Sequence, residues 1–202
     1  INVNSCISEP YITSSYKSYN EMNSNNINDI YIDEEKRIWI ANYPEGITII
    51  DNRYKSYNWI KHSIGNRQSL VNDQVHSVIE DSDGDLWFGT SNGISLYQSK
   101  TGQWHSFLSS FDHQLKNKNH IFITLCEVSP GISWAGGYTT GVYKINKRTL
   151  SVEYFSPYLL NPDNIRPDKY IRDIVKDSKG YIWSGGFYNL KCFDLSLNSV
   201  RL

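Results

Sequence analysis

The sequence is short of cysteine and contains no long apolar run. Its three cysteines, Cys6, Cys126 and Cys192, are odd in number and far apart. They support neither a disulfide framework nor a cysteine zinc site, so we expect buried, inert thiols. No apolar stretch approaches the roughly 18 residues of a membrane helix, and we predict no membrane insertion by this segment. The first residue is Ile1 rather than Met, so no signal peptide can be read and we expect an excised or processed segment.

An excess of one charge is also lacking. The 20 Lys and Arg residues oppose 21 Asp and Glu residues, with no block of like charge. Proteins that bind nucleic acid or an anionic membrane surface need a basic face, and we therefore predict neither as a partner. The 39% hydrophobic and 14% aromatic content is sufficient for the buried core of a single all-β domain.

The chain does contain an internal repeat marked by tryptophan. Trp39, Trp87, Trp134 and Trp183 are 48, 47 and 49 residues apart. The same frame surrounds each of them: "INDIYIDEEKRIWIANYPEGITII", "VHSVIEDSDGDLWFGTSNGISLY", "FITLCEVSPGISWAGGYTTGVYKI" and "IRDIVKDSKGYIWSGGFYNLKCF". Six residues before the Trp stand Asp33, Asp81, Val128 and Asp177, and two residues after it stand Ala41, Gly89, Gly136 and Gly185.

Each repeat reads as four short β-strands, with no sustained helical period. In the second repeat we predict strands at about 75–80, 86–90, 94–98 and 103–108, with "DSDG" and the Asn-Gly pair of "SNG" as turns. Four antiparallel strands in about 48 residues are typical of a β-propeller blade. We expect the tryptophan to fill the space between adjacent blades.

The predicted architecture is a single propeller segment spanning residues 1–202. We place an outer strand of a preceding blade in 1–25, blades at 26–71, 72–118 and 119–167, and a partial blade at 168–202. The stretch "SSYKSYN" at 14–20 resembles "RYKSYN" at 53–58. It either completes the last blade of a closed four-bladed ring or belongs to an arc of a larger propeller, and we favour the arc.

The acidic turn "DSDGD" at 81–85 raises the question of a cation site. An EF-hand loop starting at Asp81 would need Gly at its sixth position and Glu at its twelfth, where Asn92 stands. We interpret the turn as a β-turn with a solvated acidic side chain, in which Asp33, Asp81 and Asp177 accept backbone N–H groups. Zinc spacings, phosphate loops and a G-x-S-x-G motif are absent from the sequence, so we predict no metal and no cofactor.

The second repeat resembles a known family closely. "NDQVHSVIEDSDGDLWFGTSNGISLY" is similar to the regulator-propeller repeat found in periplasmic sensor regions of hybrid two-component systems of Bacteroides-type bacteria. The fourth repeat keeps "DSKGYIWSGG" and the first keeps "IWIA" before a longer "NYPEG" corner. The third departs from the pattern by losing the acid, reading "EVSPGISWAGG".

The resemblance implies a sensor anchored in the inner membrane. Such proteins carry rings usually of seven blades, often two in tandem, then a β-sandwich, a membrane helix and cytoplasmic kinase and regulator modules. They respond to breakdown products of complex polysaccharides and tend to dimerise. The resemblance therefore implies a non-catalytic periplasmic segment whose partners are an oligosaccharide, the remaining blades and β-sandwich, and a second copy. A propeller enzyme, either a lyase or a glycan-active hydrolase, and a purely structural scaffold are the alternatives.

Candidate ligand-binding residues follow from the propeller geometry. The connections from the fourth strand of one blade to the first strand of the next (D–A) and from the second strand to the third (B–C) gather on the face where the first strand of each blade begins. There the repeat positions are polar and variable. Aromatic, amide, carboxylate and guanidinium groups are the residue types that hold sugars, although plain aromatic packing is the alternative interpretation. The candidates are Asn28, Asp29, Asn42, Tyr43, His76, Asn92, Tyr138, Arg172, Asp173 and Tyr188. Asp29 and Asp173 also leave open a carboxylate pair of the glycosidase kind.

Overall fold

The computed structural model describes residues 26–51, 56–109, 120–155, 169–187, 190–195 and 199–201. The strand expected at 14–20 lies outside these residues. Within them, no helix is long and apolar enough to cross a membrane. Cys192 is buried, as expected, whereas Cys126 is half-buried, and Cys6 is not among the described residues.

The described residues form sixteen strands in four antiparallel sheets, and in each sheet the strands pair in chain order. The first sheet holds β1 Ile27–Ile32, β2 Ile38–Asn42, β3 Gly46–Asp51 and β4 Ser56–Ile60. The second holds β5 Val75–Glu80, β6 Leu86–Thr90, β7 Gly93–Gln98 and β8 Gln103–Phe107. The third holds β9 Phe122–Ser129, β10 Ile132–Gly137, β11 Gly141–Asn146 and β12 Ser151–Phe155, and the fourth holds β13 Ile171–Lys176, β14 Ile182–Gly186, β15 Leu190–Asp194 and β16 Ser199–Arg201.

The four sheets are propeller blades arranged in an open arc. The first strands of successive blades, β1, β5, β9 and β13, lie side by side. The arc does not close on itself, and apolar side chains on its first and last blades are exposed to solvent, among them Ile30 and Leu190. The predicted all-β propeller class is confirmed, and the described residues form an open arc rather than a closed four-bladed ring.

Three of the four repeated tryptophans fill the space between adjacent blades, as predicted. Trp39, Trp87 and Trp134 are at most 3% exposed, and each packs against the following blade. Their main partners there are Val75, Val78 and Phe88 for Trp39, Phe122 and Leu125 for Trp87, and Ile171, Ile174 and Phe193 for Trp134. Trp183, in the last blade, is only half-buried. Each of the first three blades therefore uses its tryptophan to cover the blade that comes next in the chain.

The acid of each repeat holds both the turn and the indole ring. Asp81 Oδ1 accepts the backbone N–H groups of Asp83 and Asp85 at 2.9 and 3.1 Å, which confirms the predicted turn. Its other oxygen, Oδ2, accepts the indole N–H of Trp87 at 2.9 Å. Asp33 and Asp177 accept the indole N–H groups of Trp39 and Trp183 at the same distance. The spacing of six residues between acid and tryptophan thus reflects a direct hydrogen bond, which the sequence interpretation missed.

The expectation of a solvated acid in the "DSDGD" turn is wrong. Asp81 and Asp85 are buried, and Lys147 of the third blade inserts its ammonium group between the carboxylates. Lys147 Nζ lies 2.7 Å from Asp81 Oδ2, 2.7 Å from Asp83 Oδ2 and 3.0 Å from Asp85 Oδ2. The turn does hold a cation, and that cation is a lysine of the neighbouring blade. Among the described residues, no group of His, Cys, Asp and Glu is arranged to hold a metal ion.

The small residue two positions after the tryptophan is required by the close approach of blades. A Cβ atom on Gly89 would lie 2.7 Å from the carbonyl oxygen of Phe122, and one on Gly136 would lie 2.5 Å from Ile171 Cγ2. Both distances are far below contact distance, so a larger side chain would force the blades apart. Gly185 of the last blade, by contrast, would meet only Leu190 Cδ1, at 4.0 Å.

We predict that Trp87→Phe is more destabilising than Trp134→Phe. Both changes remove ring volume from a buried space between blades, but only Trp87 donates to a carboxylate, because Val128 stands at the acid position of the third repeat. Leaving Asp81 without its indole donor costs roughly 1–3 kcal/mol in addition, and we expect the lower end since Lys147 still contacts the same oxygen. Urea denaturation of both variants measures the difference, and equal losses would contradict the assigned hydrogen bond.

We predict that Lys147→Met destabilises the protein strongly. Removing one partner of a buried ion pair costs roughly 3–5 kcal/mol, and the exposed Asp83 places this cluster near the lower limit. Lys144→Met, exposed on β11 just before Lys147, is the control and should change the free energy of unfolding by less than about 0.5 kcal/mol.

The same cluster predicts a pH dependence. Burial by itself would lower the pKa of Lys147, but hydrogen bonds from its ammonium to the three aspartates outweigh burial and raise the pKa above its ordinary 10.5. The stabilisation is therefore complete below that ordinary value and is lost as the pH rises through the raised pKa. Unfolding midpoints measured above about pH 10 should fall more steeply for the wild type than for Lys147→Met, and below that pH the difference between the two should stay constant.

Candidate functional site

The start of the first strand and the end of the second lie side by side in every blade. The opposing pairs are Ile27 with Asn42, Val75 with Thr90, Phe122 with Gly137, and Ile171 with Gly186. The B–C corners follow directly from the second of these residues. We call the surface formed by these strand starts and corners the upper face, and the predicted binding residues belong to it.

On the first two blades the upper face brings three predicted residues together. Asn28 Nδ2 donates to the carbonyl of Val75 at 2.8 Å and lies 3.5 Å from His76 Nδ1. His76 Nε2 is 2.8 Å from Ser91 Oγ, and the ring of Tyr43 lies 6.0 Å from the imidazole. Burial lowers the pKa of His76, so the imidazole is neutral at neutral pH. Its two nitrogens are therefore one donor and one acceptor within a hydrogen-bonded corner.

Asp29 joins two blades. Its Oδ1 accepts the backbone N–H of Ile30, and its Oδ2 accepts the backbone N–H of Val78 in the next blade, both at 2.9 Å. The equivalent Thr124 accepts the N–H of Ile174 at 3.2 Å in the same way. These side chains therefore accept hydrogen bonds from backbone N–H groups of the following blade. This role explains why polar residues stand at these positions, and it requires no ligand.

The remaining candidates on these corners differ in accessibility. Asn42 is fully buried, and its Oδ1 accepts the hydroxyl of Thr48 at 2.6 Å, so it supports the corner from inside. Asn92 is half-buried, and its backbone N–H donates to Thr90 Oγ1 at 3.1 Å. Tyr188 lies outside the described residues.

On the last two blades the upper face carries an exposed aromatic cluster. The ring of Tyr170 lies 5.5 Å from that of Tyr138 and 5.0 Å from that of Phe187. The guanidinium of Arg172 stacks 4.5 Å from the centre of the Phe187 ring. Tyr138 is 39% exposed and Phe187 is 49% exposed. We call these four residues the aromatic–arginine cluster.

One neighbour of the predicted residues was missed. Tyr170 stands immediately before the first strand of its blade, where the other repeats have Asn26, Gln74 and Ile121. Comparing that additional repeat position, which is also variable, would have found it. Asp173 lies beside the cluster and accepts the hydroxyl of Thr124 at 3.0 Å, so it links the cluster to the joint between the third and fourth blades.

The aromatic–arginine cluster has the chemistry of a recognition surface. Exposed aromatic rings offer flat apolar faces, and the phenol groups of Tyr138 and Tyr170 donate and accept hydrogen bonds. The planar guanidinium of Arg172 offers several donors in a fixed plane for hydroxyl or carboxylate oxygens. A small number of polar groups around an apolar platform is the common composition of small-molecule sites.

The sequence profile of the "Two component regulator propeller" family matches residues 21–43 and 69–92. The second match covers β5, the acidic turn and β6 together with the beginning of the Asn-Gly corner. No curated protein matches the chain in sequence.

Solved structures with the same fold include sensors and enzymes. An extracellular domain assigned to a hybrid two-component system of B. thetaiotaomicron is 21% identical with a TM-score of 0.77, over 95% of this chain and 25% of that one. A second such domain from that organism is 19% identical with a TM-score of 0.65, over 89% and 22%. Streptogramin B lyase is 15% identical with a TM-score of 0.64, over 87% and 53%.

At these identities the solved structures establish the fold alone, and the chain spans only a quarter of the length of the first of them. The family is indicated by the profile matches and by the acid, tryptophan and small residue recurring at fixed spacing. Residues 21–43 and 69–92 therefore match repeats of the two-component regulator propeller family.

Proposed function

We propose that this chain is part of the extracytoplasmic sensor propeller of a hybrid two-component system and contributes to detection of glycan breakdown products. The profile matches and the likeness to extracellular domains of such systems support the sensor role. In this proposal the segment is periplasmic within a sensor anchored in the inner membrane. It binds its ligand without transforming it, and the kinase module belongs to another part of the parent protein.

The observation that carries the ligand role is the exposure of the aromatic–arginine cluster. Phe187 and Tyr138 are 49% and 39% exposed although each lies against the ring of Tyr170. On the first two blades, in contrast, the polar side chains already have protein partners. Asn28 donates to the carbonyl of Val75, and His76 is hydrogen-bonded to the hydroxyl of Ser91. A sugar ring can lay its C–H face on an aromatic platform while its hydroxyl groups meet Arg172 and the phenols.

The position of the cluster suggests how binding is transmitted. Tyr138 belongs to the third blade, whereas Tyr170, Arg172 and Phe187 belong to the fourth. A ligand that contacts both blades stabilises one arrangement of the joint between them, because it binds that arrangement with higher affinity than any other. Detection then becomes a change in how two blades are held, which the rest of the parent sensor can sense.

An enzyme is the alternative class, since streptogramin B lyase shares the fold. That likeness assigns no catalytic residue to this chain, because fold does not determine chemistry. The two aspartates that kept a glycosidase pair open, Asp29 and Asp173, both accept hydrogen bonds at blade joints. We therefore favour binding over catalysis.

We predict that Arg172→Ala and Tyr138→Ala each weaken oligosaccharide binding by about fivefold or more, because loss of a stacked or charged anchor costs upwards of about 1 kcal/mol. Calorimetry of the chain, and of the complete extracellular region containing it, against a panel of oligosaccharides measures the effect. Trp59→Ala is the control, since Trp59 is 47% exposed on β4, away from the cluster. If both cluster variants bind as well as the wild type, the assignment of this site is wrong.

A further inference from the structure

A hydrogen-bonded corner joins the first two blades on the upper face. Asn28 of β1 donates through Nδ2 to the carbonyl oxygen of Val75 on β5 at 2.8 Å, and the same nitrogen lies 3.5 Å from His76 Nδ1. The other ring nitrogen of His76, Nε2, lies 2.8 Å from Ser91 Oγ. The ring of Tyr43, from the B–C corner of the first blade, lies 6.0 Å from the imidazole. We call Asn28, Tyr43, His76 and Ser91 the histidine corner.

The Val75 carbonyl determines which nitrogen of His76 carries the proton. A carbonyl oxygen can only accept a hydrogen bond, so the side-chain atom of Asn28 that faces it is the amide nitrogen. That nitrogen also faces His76 Nδ1, which must therefore present a lone pair. The proton of the neutral imidazole then lies on Nε2 and is donated to Ser91 Oγ. The contacts of the corner select one neutral tautomer.

A protonated His76 is incompatible with these contacts. A proton on Nδ1 would face the N–H groups of Asn28, so that two donors would meet without an acceptor. Turning the amide over would give this proton an acceptor, but it would place Asn28 Oδ1 against the carbonyl oxygen of Val75. In either arrangement one contact between the two blades is lost and a polar group is left without its partner.

The charged groups nearest to the histidine corner are engaged elsewhere. The Asp29 carboxylate, next to Asn28 on β1, accepts the backbone N–H groups of Ile30 and Val78. Asp73, which precedes β5, accepts the backbone N–H of His62 at 2.6 Å. In the B–C corner of the first blade, Glu45 is paired with Lys61 at 3.4 Å.

The other strands that pack against β5 do not place a charge beside His76. Strands β2 and β6 carry no ionisable side chain. Glu80 and Glu127 lie toward the opposite ends of β5 and β9, where they accept the hydroxyl groups of Tyr31 and Ser82. Before β9, His120 packs against the rings of Phe122 and Tyr143. Among the described residues, burial alone lowers the pKa of His76, without a contribution from a neighbouring charge.

We propose that the histidine corner is an acid-sensitive contact, in which uptake of a proton by His76 releases the upper-face bond between the first two blades. The release is local, because Trp39 still packs between these blades and Tyr31 still donates to Glu80 at the other end of the strands. Ile123 and Arg172 stand at the position of His76 in the third and fourth blades, and neither changes its charge between about pH 4 and pH 8. The inference goes beyond the proposed ligand site and does not depend on it.

The sign of the pH dependence follows from burial. The folded-state pKa of His76 lies below its ordinary 6.5, so the folded chain favours the neutral imidazole. The contribution of the corner is therefore complete above that ordinary value and is lost as the pH falls through the lowered pKa. Glu80, at the other end of the joint, has a pKa raised by burial and by the charge of Asp81. Global unfolding would mix both groups, and the measurement must therefore be local.

Nuclear magnetic resonance of the chain between about pH 8 and pH 5 tests the proposal. The side-chain amide signals of Asn28 should shift with the same midpoint as the His76 imidazole, and that midpoint should lie below 6.5. The N–H of Val78 bonds to Asp29 across the same joint, and that of Ile174 makes the equivalent bond between the third and fourth blades. From about pH 7 to pH 5, exchange of the Val78 amide should accelerate by about threefold or more relative to that of Ile174.

Three variants identify the group responsible. His76→Gln should abolish both responses. Asn28→Asp keeps the shape of the side chain but places a carboxylate beside Nδ1, which should raise the pKa of His76 above 6.5 and reverse the pH dependence of the exchange ratio. His105→Gln is the matched control, since His105 bonds to Gln98 within the second blade, and both responses should remain.

Three results would each overturn the proposal. The first is a set of Asn28 signals that do not follow the titration of His76. The second is a ratio of Val78 to Ile174 exchange that stays constant between about pH 7 and pH 5. The third is an Asn28→Asp variant in which the pKa of His76 stays below 6.5.

Discussion

The hydrogen bond from the tryptophan indole to the aspartate six residues earlier is the interaction on which the blades depend. The acid ends the first strand and the tryptophan lies on the second, so the bond closes the turn between them. It also fixes the plane of the ring, which then points toward the following blade. In the three repeats that carry the acid, one hydrogen bond therefore links the turn to the placement of the tryptophan ring.

The third repeat shows what happens when the acid is missing. Val128 stands in its place and is buried, and Trp134 packs 4.5 Å from the ring of Phe155 without a carboxylate partner. The preceding residue, Glu127, takes over the turn by accepting the N–H of Gly131 at 3.0 Å. Its carboxylate also accepts the N–H and the hydroxyl of Ser82 in the second blade. The acid has moved by one residue and now joins two blades as well.

Much of the fold was predictable because its causes are local or repeated. The strands of the second blade begin and end within one residue of the predicted limits, and the turn role of Asp81 follows from its neighbours in sequence. The burial of Asp81 was not predictable, since Lys147 reaches it from 66 residues further along the chain. A repeat alignment identifies equivalent positions, but it does not identify which side chain of the next blade arrives there.

The candidate site illustrates the same limit. Polar variation at the strand starts was interpreted as a ligand surface, yet Asp29 and Thr124 use their oxygens to join blades. Ser77, at the same position of the second blade, has a buried hydroxyl with no hydrogen-bond partner among the described residues. This variation therefore reflects how each joint is made. The aromatic–arginine cluster differs because its rings stay exposed, which only the folded arrangement reveals.

The central claim is that blades are joined in one direction, each first strand after β1 being covered by the blade before it. Amide hydrogen exchange tests this at a concentration where the chain is monomeric. The N–H groups of Val78 and Ile174, which bond to the preceding blade, should exchange about tenfold or more slowly than that of Ile30. Equal protection of all three amides would contradict this claim.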